Sequence, residues 1–367
     1  MRKLGFISIV LFSFVALSIS GCAEESVEKR VARLHKKMYT IDTHNDFSMW
    51  LAHPDGDFGV KGGQVSFQQM HEGGLDAAFF AAYQDQGPID PEFHRYAREY
   101  ADTLILCLKQ YAEQNSEYGA IATSIEEMKA LKKRGKVALF LSIENACCIG
   151  DSLPLVQYYY DQGVRMIGLT HNGNNAIADA GTTKVKLHGG LSDFGKEAIA
   201  EMNRLGIVVD LSHASRDATL QAAVVSKTPI IASHSCVFAV RELSRNLIDE
   251  EIIAIAENGG VVHLALDAWL LRYGPDYSAA SLDDFMKHLH YIIDLVGIDH
   301  VGVGSDFDGG GGVIGCKDMS EYHNLTKRLI EEGFSDEEIT KIWGGNFLRV
   351  FEEVERYAKD SVDSYEF

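Results

Sequence analysis

Positive charge is scarce in this chain: 34 Lys and Arg stand against 53 Asp and Glu, a formal net charge of −19 over 367 residues. A field of that sign repels phosphate backbones and anionic headgroups, which excludes a nucleic-acid partner. Proline is scarce as well, at 6 residues, and no Ser/Thr/Gly/Pro stretch is long enough to serve as a flexible linker, so one large domain is expected rather than two. No tandem repeat or low-complexity tract interrupts it. Cysteine is sparse and, beyond Cys22, odd in number: Cys107, Cys147, Cys148, Cys236 and Cys316 cannot all pair within the chain. A domain of this size does not need disulfides for stability, and the adjacent Cys147 and Cys148 read as buried small residues after a strand. Long apolar runs are lacking except for Leu4–Ile19, which is too short to cross a bilayer comfortably, a task that needs about 20 residues. The remainder, 46% hydrophobic and 24% charged, has the balance of a globular protein able to bury a large core.

Arg2 and Lys3 ahead of that apolar run, and small residues after it, make residues 1–21 a secretory signal. Its end, Ile19-Ser20-Gly21-Cys22, resembles the lipobox of bacterial lipoproteins, which implies lipidation of Cys22. Several acyl chains anchor stably without a transmembrane helix, at about 0.8 kcal/mol per buried CH₂. The expected location is the bacterial cell envelope, exported, lipid-anchored and extracytoplasmic. Residues 22–37 are expected to form a tether, 38–359 the catalytic-sized domain and 360–367 a C-terminal tail.

Past residue 38, short β-branched apolar runs alternate with amphipathic stretches of helical length, the pattern of repeated βα units around a parallel sheet. The strand candidates are Tyr39–Thr43, Ala77–Tyr83, Val137–Ile143, Met166–Thr170, Ile207–Ser212, Ile230–Ser233, Val261–Leu266 and Val301–Ser305. Eight such strands fit an α/β fold of the closed (β/α)8 TIM-like barrel type better than an open sheet. Ser124, Ser281 and Ser335, each followed three residues later by an acid, signal helix starts. Gly135, Gly163 and Gly206 stand where helices should end. The stretch Ser335–Lys359 reads as helix, broken or bent at Gly344-Gly345.

In such a barrel the chemistry gathers where strands end. His44 and Asp46 follow the first strand, Glu144 ends the third, and His171, His213, His234 and Asp306 follow the fourth, fifth, sixth and eighth. Alone, a histidine after a strand is usually a hydrogen-bonded structural residue, and an acid there often caps a helix. Together, desolvated groups of this kind repel one another unless cations neutralise them. Imidazole nitrogens with carboxylate oxygens suit zinc or a similar divalent ion. More ligands are present than one tetrahedral ion needs, which favours two ions roughly 3.5 to 4 Å apart sharing a bridging carboxylate. His263, inside a strand run, reads as a core residue, and His288 and His290 fall on different helix faces.

The motifs Asp42-Thr43-His44-Asn45-Asp46, Leu169-Thr170-His171, Val209-Asp210-Leu211-Ser212-His213, Ser233-His234-Ser235, Arg245-Asn246 and Gly304-Ser305-Asp306-Phe307-Asp308-Gly309 occur in order along the chain. Over about Met38 to Arg356 the sequence resembles the membrane (renal-type) dipeptidases, zinc peptidases of the amidohydrolase superfamily. The resemblance implies that His44 and Asp46 hold one zinc, His213 and His234 the other, and that Glu144 bridges the two. It further implies that His171 binds the substrate carbonyl, Arg245 pairs with the substrate carboxylate, and Asp306 handles protons; Asp308 is the alternative to Asp306. The chain departs from the pattern in the loops 145–148, 172–179 and 267–269, which bear on side-chain preference.

The leading expectation is therefore a lipid-anchored binuclear zinc dipeptidase acting on dipeptides, including those with a D-residue at the carboxyl side. Its partners would be dipeptides, the membrane through Cys22 and, left open, a second copy in a homodimer. The alternative within catalysis is another amidohydrolase reaction on N-acyl amino acids. A non-catalytic lipoprotein that binds peptide or metal is disfavoured by the presence of both Glu144 and Asp306.

Overall fold

The computed structural model describes residues 25–53, 63–274 and 276–363. The expected signal 1–21 and the lipidation residue Cys22 lie outside the described residues, among which no helix is long and apolar enough to cross a membrane. Runs of Ala, Val, Ile and Phe form nine strands: β1 (Ile41–Asn45), β2 (Ala77–Tyr83), β3 (Gly119–Ile121), β4 (Val137–Glu144), β5 (Val164–Gly168), β6 (Val208–Asp210), β7 (Ile231–Ser235), β8 (Val261–Leu264) and β9 (Val301–Val303). All pair in parallel, in the order β1-β2-β4-β5-β6-β7-β8-β9, with helices between them as parallel connections require. The seam between β9 and β1 is joined just beyond the strand ends, where Asp306 N–H donates to His44 O at 3.1 Å and Asp46 N–H to Phe307 O at 2.9 Å. The result is a nearly closed (β/α)8 barrel.

Eight expected strands are present, with boundaries shifted by up to two residues. β5 begins at Val164 rather than Met166 because Gly163, at φ 100°, turns the chain directly into it. The unexpected β3 is three residues long and pairs only with β4, outside the barrel wall. Ser124, Ser281 and Ser335 cap helices as expected, the last two in reciprocal capping boxes.

Inside the lower half of the barrel lies an aromatic cluster. Phe79 stacks on Phe140 at 4.9 Å between ring centres, and Phe347 and Phe351 meet them edge-on at 5.2 and 5.6 Å. The last two come from the C-terminal helix Asn346–Asp363, whose first turns plug the barrel floor. The expected bend at Gly344-Gly345 is a π-helical segment, Lys341–Gly345. A Cβ on Gly344 would stand 2.4 Å from Tyr39 O, so only glycine lets the segment approach β1 so closely.

Residues 27–37 depart from the tether expectation. They form a helix, Val27–Lys37, that buries Val31 and Leu34 against the barrel. Arg30 and Arg33 hold it to Asp336 at 2.8 and 2.7 Å. The apolar residues at 27, 31 and 34 already had helical spacing. The last helix likewise runs on through residues 360–363 of the expected tail.

Candidate metal centre

His44, Asp46, Glu144, His171, His213, His234, Arg245 and Asp306 all meet at the C-terminal mouth of the barrel. Glu144 ends β4 at the middle of the group, and its two oxygens face different partners. Oε2 lies 3.5 Å from His44 Nε2. Oε1 lies 3.0 Å from His213 Nε2 and 3.4 Å from His234 Nε2. On the His44 side, Asp46 Oδ2 and Asp306 Oδ1 stand 3.4 and 3.9 Å from His44 Nε2. Three sets of donors have atoms within 4.8 Å of one another: His44/Glu144/His234, Glu144/His171/His213 and His44/Asp46/Asp306.

The backbone is bent to bring them together. The register slips between Asp42 and Asn45 in β1 and between Ala232 and Ser235 in β7, the two stretches that carry His44 and His234. Bulges of this sort re-aim side chains, so simple period-two alternation does not explain how His44 and Asp46 come to face each other; Asp46 has already left the strand. Among the described residues, the non-glycine residues with positive φ are Asn145, His213, Asp306 and Asp308, each just past a strand at this rim. A Cβ on Gly309 would sit 2.0 Å from Asp46 Oδ2 and 2.6 Å from Asp306 Oδ1, so glycine keeps the space between those carboxylates clear.

Buried aspartates brace the histidines from behind. Ser233 Oγ donates to Asp210 Oδ2 at 2.7 Å and receives His234 Nδ1–H at 2.8 Å. Asn172 Oδ1 accepts from His213 Nδ1 at 3.1 Å. Both rings thus carry their proton on Nδ1 and turn an Nε2 lone pair inward. Asp42 does for β1 and β9 what Asp210 does for β6 and β7, accepting from Ser305 N and Oγ at 2.8 and 2.6 Å. These braces had no assigned part in the sequence reading, although Asp42 and Asp210 each precede a site histidine on a strand.

Electrostatics set the inward atoms against each other. Burial, and then Arg245, drives His213 well below its usual range; burial, His44 and Arg245 do the same to His234. Burial opposes charge on Glu144, but the charge on His44 and the close approach of the His213 and His234 rings outweigh it and hold the carboxyl well below the carboxylate range. Burial also opposes charge on His44, yet Glu144 and Asp46 hold it well above normal. Burial raises Asp306 strongly, with Asp46 and Asp267 prevailing over the opposing His44.

Two neutral imidazoles present their Nε2 atoms 3.0 Å apart, both toward one carboxylate oxygen. His44 Nε2 and Asp46 Oδ1 are buried with no hydrogen-bond partner. Two lone pairs and three carboxylates crowded around one imidazole are unfavourable unless further positive charge lies among them. The donor set therefore fits a divalent metal, with Glu144 disposed to serve two positions.

Above these groups opens a cavity of about 290 Å³, whose wall includes Met49, Tyr83, Asp267 and Trp269 as well as the site residues. Arg245 is held in the wall by bonds to Ser235 Oγ at 3.0 Å and His234 O at 2.8 Å, and burial lowers its pKa. Asn172 Nδ2 donates to His171 Nε2 at 3.3 Å, leaving His171 Nδ1, buried and without a hydrogen-bond partner, to carry the proton. Asp308 stands apart from the cavity wall: its backbone N–H and Oδ1 are tied to Gln64 at 2.7 and 2.9 Å. His263 is a core residue bonded to Ala232 O, and His288 is buried against Val237 and Leu271 while His290 reaches Glu332 on the surface. Cys147 and Cys148 are buried in a short 3-10 turn after β4, and Cys107, Cys147, Cys148, Cys236 and Cys316 are all free thiols.

Comparison with known proteins gives the family of the chain. The chain is 33% identical over 341 residues to the dipeptidase aclJ of Aspergillus oryzae, covering 88% of this chain and 80% of the relative. It is similar in structure to the probable dipeptidase PvdM of Pseudomonas aeruginosa, at 29% identity and a TM-score of 0.80 over 90% of this chain and 99% of the other. A metallopeptidase of Rhodobacter sphaeroides, liganded with a phosphinate mimic of the dipeptide L-Ala-D-Ala, is similar at 26% identity and a TM-score of 0.78, over 86% of this chain and 99% of the other. Residues 28–364 match the membrane dipeptidase family, peptidase family M19, and the chain belongs to that family.

Proposed function

We propose that this chain, a dipeptidase by its family, hydrolyses the peptide bond of dipeptides with a free carboxyl terminus, using two zinc ions. His44 and Asp46 would hold one ion, His213 and His234 the other, and Glu144 would give one oxygen to each. The observation that carries this reading is the division of Glu144, Oε2 toward His44 and Oε1 toward His213 and His234. Ions bound there supply Lewis acidity and a water acidified toward neutral pH.

The chain's own residues account for the remaining work. Arg245, with its guanidinium fixed from behind by Ser235 and His234, receives the substrate carboxylate in the paired geometry that a guanidinium favours. His171 Nδ1, which makes no hydrogen bond and stands 3.7 Å from Asp85 Oδ1, offers its N–H to the carbonyl oxygen as negative charge gathers on it. Asp306, in the cavity wall beside Asp46, takes a proton from water and returns it to the leaving amine. A longer peptide carries its terminal carboxylate beyond the reach of Arg245, which favours two-residue substrates. The phosphinate mimic held by the Rhodobacter sphaeroides relative supports acceptance of a D-residue on the carboxyl side. The amino-terminal segment supports export and anchoring through Cys22 in the bacterial envelope.

The test is hydrolysis of L-Ala-L-Ala, L-Ala-D-Ala, tri-alanine and N-acetyl-alanine before and after chelation, with metal content measured in parallel. The expected result is cleavage of dipeptides alone, lost with the metal and restored by zinc. Undiminished turnover in metal-free protein overturns the mechanism, and cleavage confined to N-acetyl-alanine overturns the substrate. Anchoring is tested separately by fatty-acid labelling, which should disappear in Cys22→Ser.

A further inference from the structure

Next to the catalytic cavity lies a second hollow, of about 380 Å³, whose wall includes Gln84, Gln86, Phe93 and Tyr96. Met49 and Tyr83 line both, so the two adjoin. The new hollow is walled by rings: Tyr96 and Tyr100 lie nearly parallel at 6.2 Å, and Phe93 leans on Tyr96 at 6.1 Å. Such walls favour a flat apolar body.

Of its polar residues Gln84, Asp85 and Gln86, the buried one is Gln84, directly after β2. Gln84 is only 3% exposed, and its backbone oxygen accepts from Asn145 Nδ2 at 3.1 Å. Neither Oε1 nor Nε2 of its side chain has a hydrogen-bond partner among the described residues. Buried amides are almost always satisfied, because leaving one dry costs free energy. One that stays unpaired in the wall of a hollow adjoining a substrate cavity has the properties of a recognition group. Its acceptor and donor match a ligand atom that both gives and takes a hydrogen bond.

The direction of the substrate follows from the reading of Arg245 given above, on which this inference rests. Arg245, Asp267 and Trp269 follow β7 and β8, whereas Met49, on the short helix Phe47–Ala52 after β1, and Tyr83, at the end of β2, stand at another part of the rim. A dipeptide with its carboxylate at Arg245 therefore turns its amino-terminal residue toward Met49 and Tyr83. We propose that the second hollow receives the side chain of that amino-terminal residue and selects a large aromatic group with a hydroxyl, as in tyrosine, which completes the hydrogen bonds of Gln84.

The test is kcat/KM of the metal-loaded full chain for Tyr-Ala, Phe-Ala, Ala-Ala and Ala-Tyr, in the natural protein, Gln84→Leu and Tyr96→Ala. The natural protein should prefer Tyr-Ala to Ala-Ala and to Phe-Ala, each by about tenfold or more. Gln84→Leu should bring the Tyr-Ala to Phe-Ala ratio to about one, and Tyr96→Ala should lower both aromatic substrates relative to Ala-Ala by about fivefold. Tyr96 is 57% exposed on a helix, so its variant keeps the test open if Gln84→Leu fails to fold. Ratios unchanged in a folded variant overturn the proposal, as does an aromatic preference that appears in Ala-Tyr instead of Tyr-Ala. Cleavage of Ala-Ala with flat ratios sinks this proposal alone; failure to cleave any dipeptide sinks the dipeptidase reading with it.

Discussion

On β4, Phe140 and Glu144 lie four residues apart on one face of one strand, yet Phe140 is packed among aromatic rings at the barrel floor while Glu144 meets three histidines at its rim. β2 repeats the contrast, with Phe79 below and Tyr83 lining the cavity above. The floor is held by burial and has no charge to neutralise. The rim gathers the non-glycine residues of positive φ, two register slips and facing carboxylates. The difference teaches that a barrel can separate stability from chemistry along the length of each strand, the packed end offsetting the unfavourable one.

That separation can be broken by exchange of roles. Glu144→Gln and Asp306→Asn should each lower turnover by about a thousandfold or more, with circular dichroism unchanged. Glu144→Gln should also lower bound metal, read by elemental analysis; retained metal and activity in it would erase the division between the ends. At the floor, Phe79→Ala should cost about 3 to 5 kcal/mol of stability, measured by denaturant unfolding, while kcat of the folded fraction stays within about twofold. A large loss of kcat there would mean that the floor also tunes the rim.

Smaller effects sharpen the boundary. Arg245→Met should reduce kcat/KM for dipeptides by about 10- to 100-fold, the worth of a charged hydrogen-bonded contact. It should change little for a dipeptide amide, which lacks the carboxylate. A separate effect, on stability, concerns Glu251 on the helix Asp249–Glu257, which burial raises from 4.5 to about 7. A carboxyl raised in the folded state holds a proton that the unfolded chain has already released. Its contribution is therefore complete below pH 4.5 and is lost as pH rises through 7, by up to about 3 kcal/mol. Thermal unfolding of Glu251→Gln should accordingly show a flatter dependence between pH 5 and 8 than the natural protein.

The sequence disclosed the rim more fully than the wall behind it. Strand periodicity located the eight barrel strands because parallel strands buried on both faces form continuous apolar runs, and each polar residue that ended a run stood out against them. Residues 27–37 escaped because a short, charged amphipathic helix looks the same as a tether until Asp336, three hundred residues away, is seen to hold it. β3 escaped because three residues carry no usable period. Asp210 and Asn172 were hidden for another reason. Their work is to accept hydrogen bonds across loops, and nothing in local spacing tells a braced histidine from a free one. The bulges in β1 and β7, which carry His44 and His234, are equally invisible to alternation.

The plug formed by Phe347 and Phe351 has a consequence for how the protein comes into being. The element that seals the floor is the final helix of the described residues, so until it is available Phe79, Phe140 and their aliphatic neighbours lie open at the barrel floor. A chain cut before residue 346 would leave a sticky, unfinished barrel floor instead of a weakened enzyme.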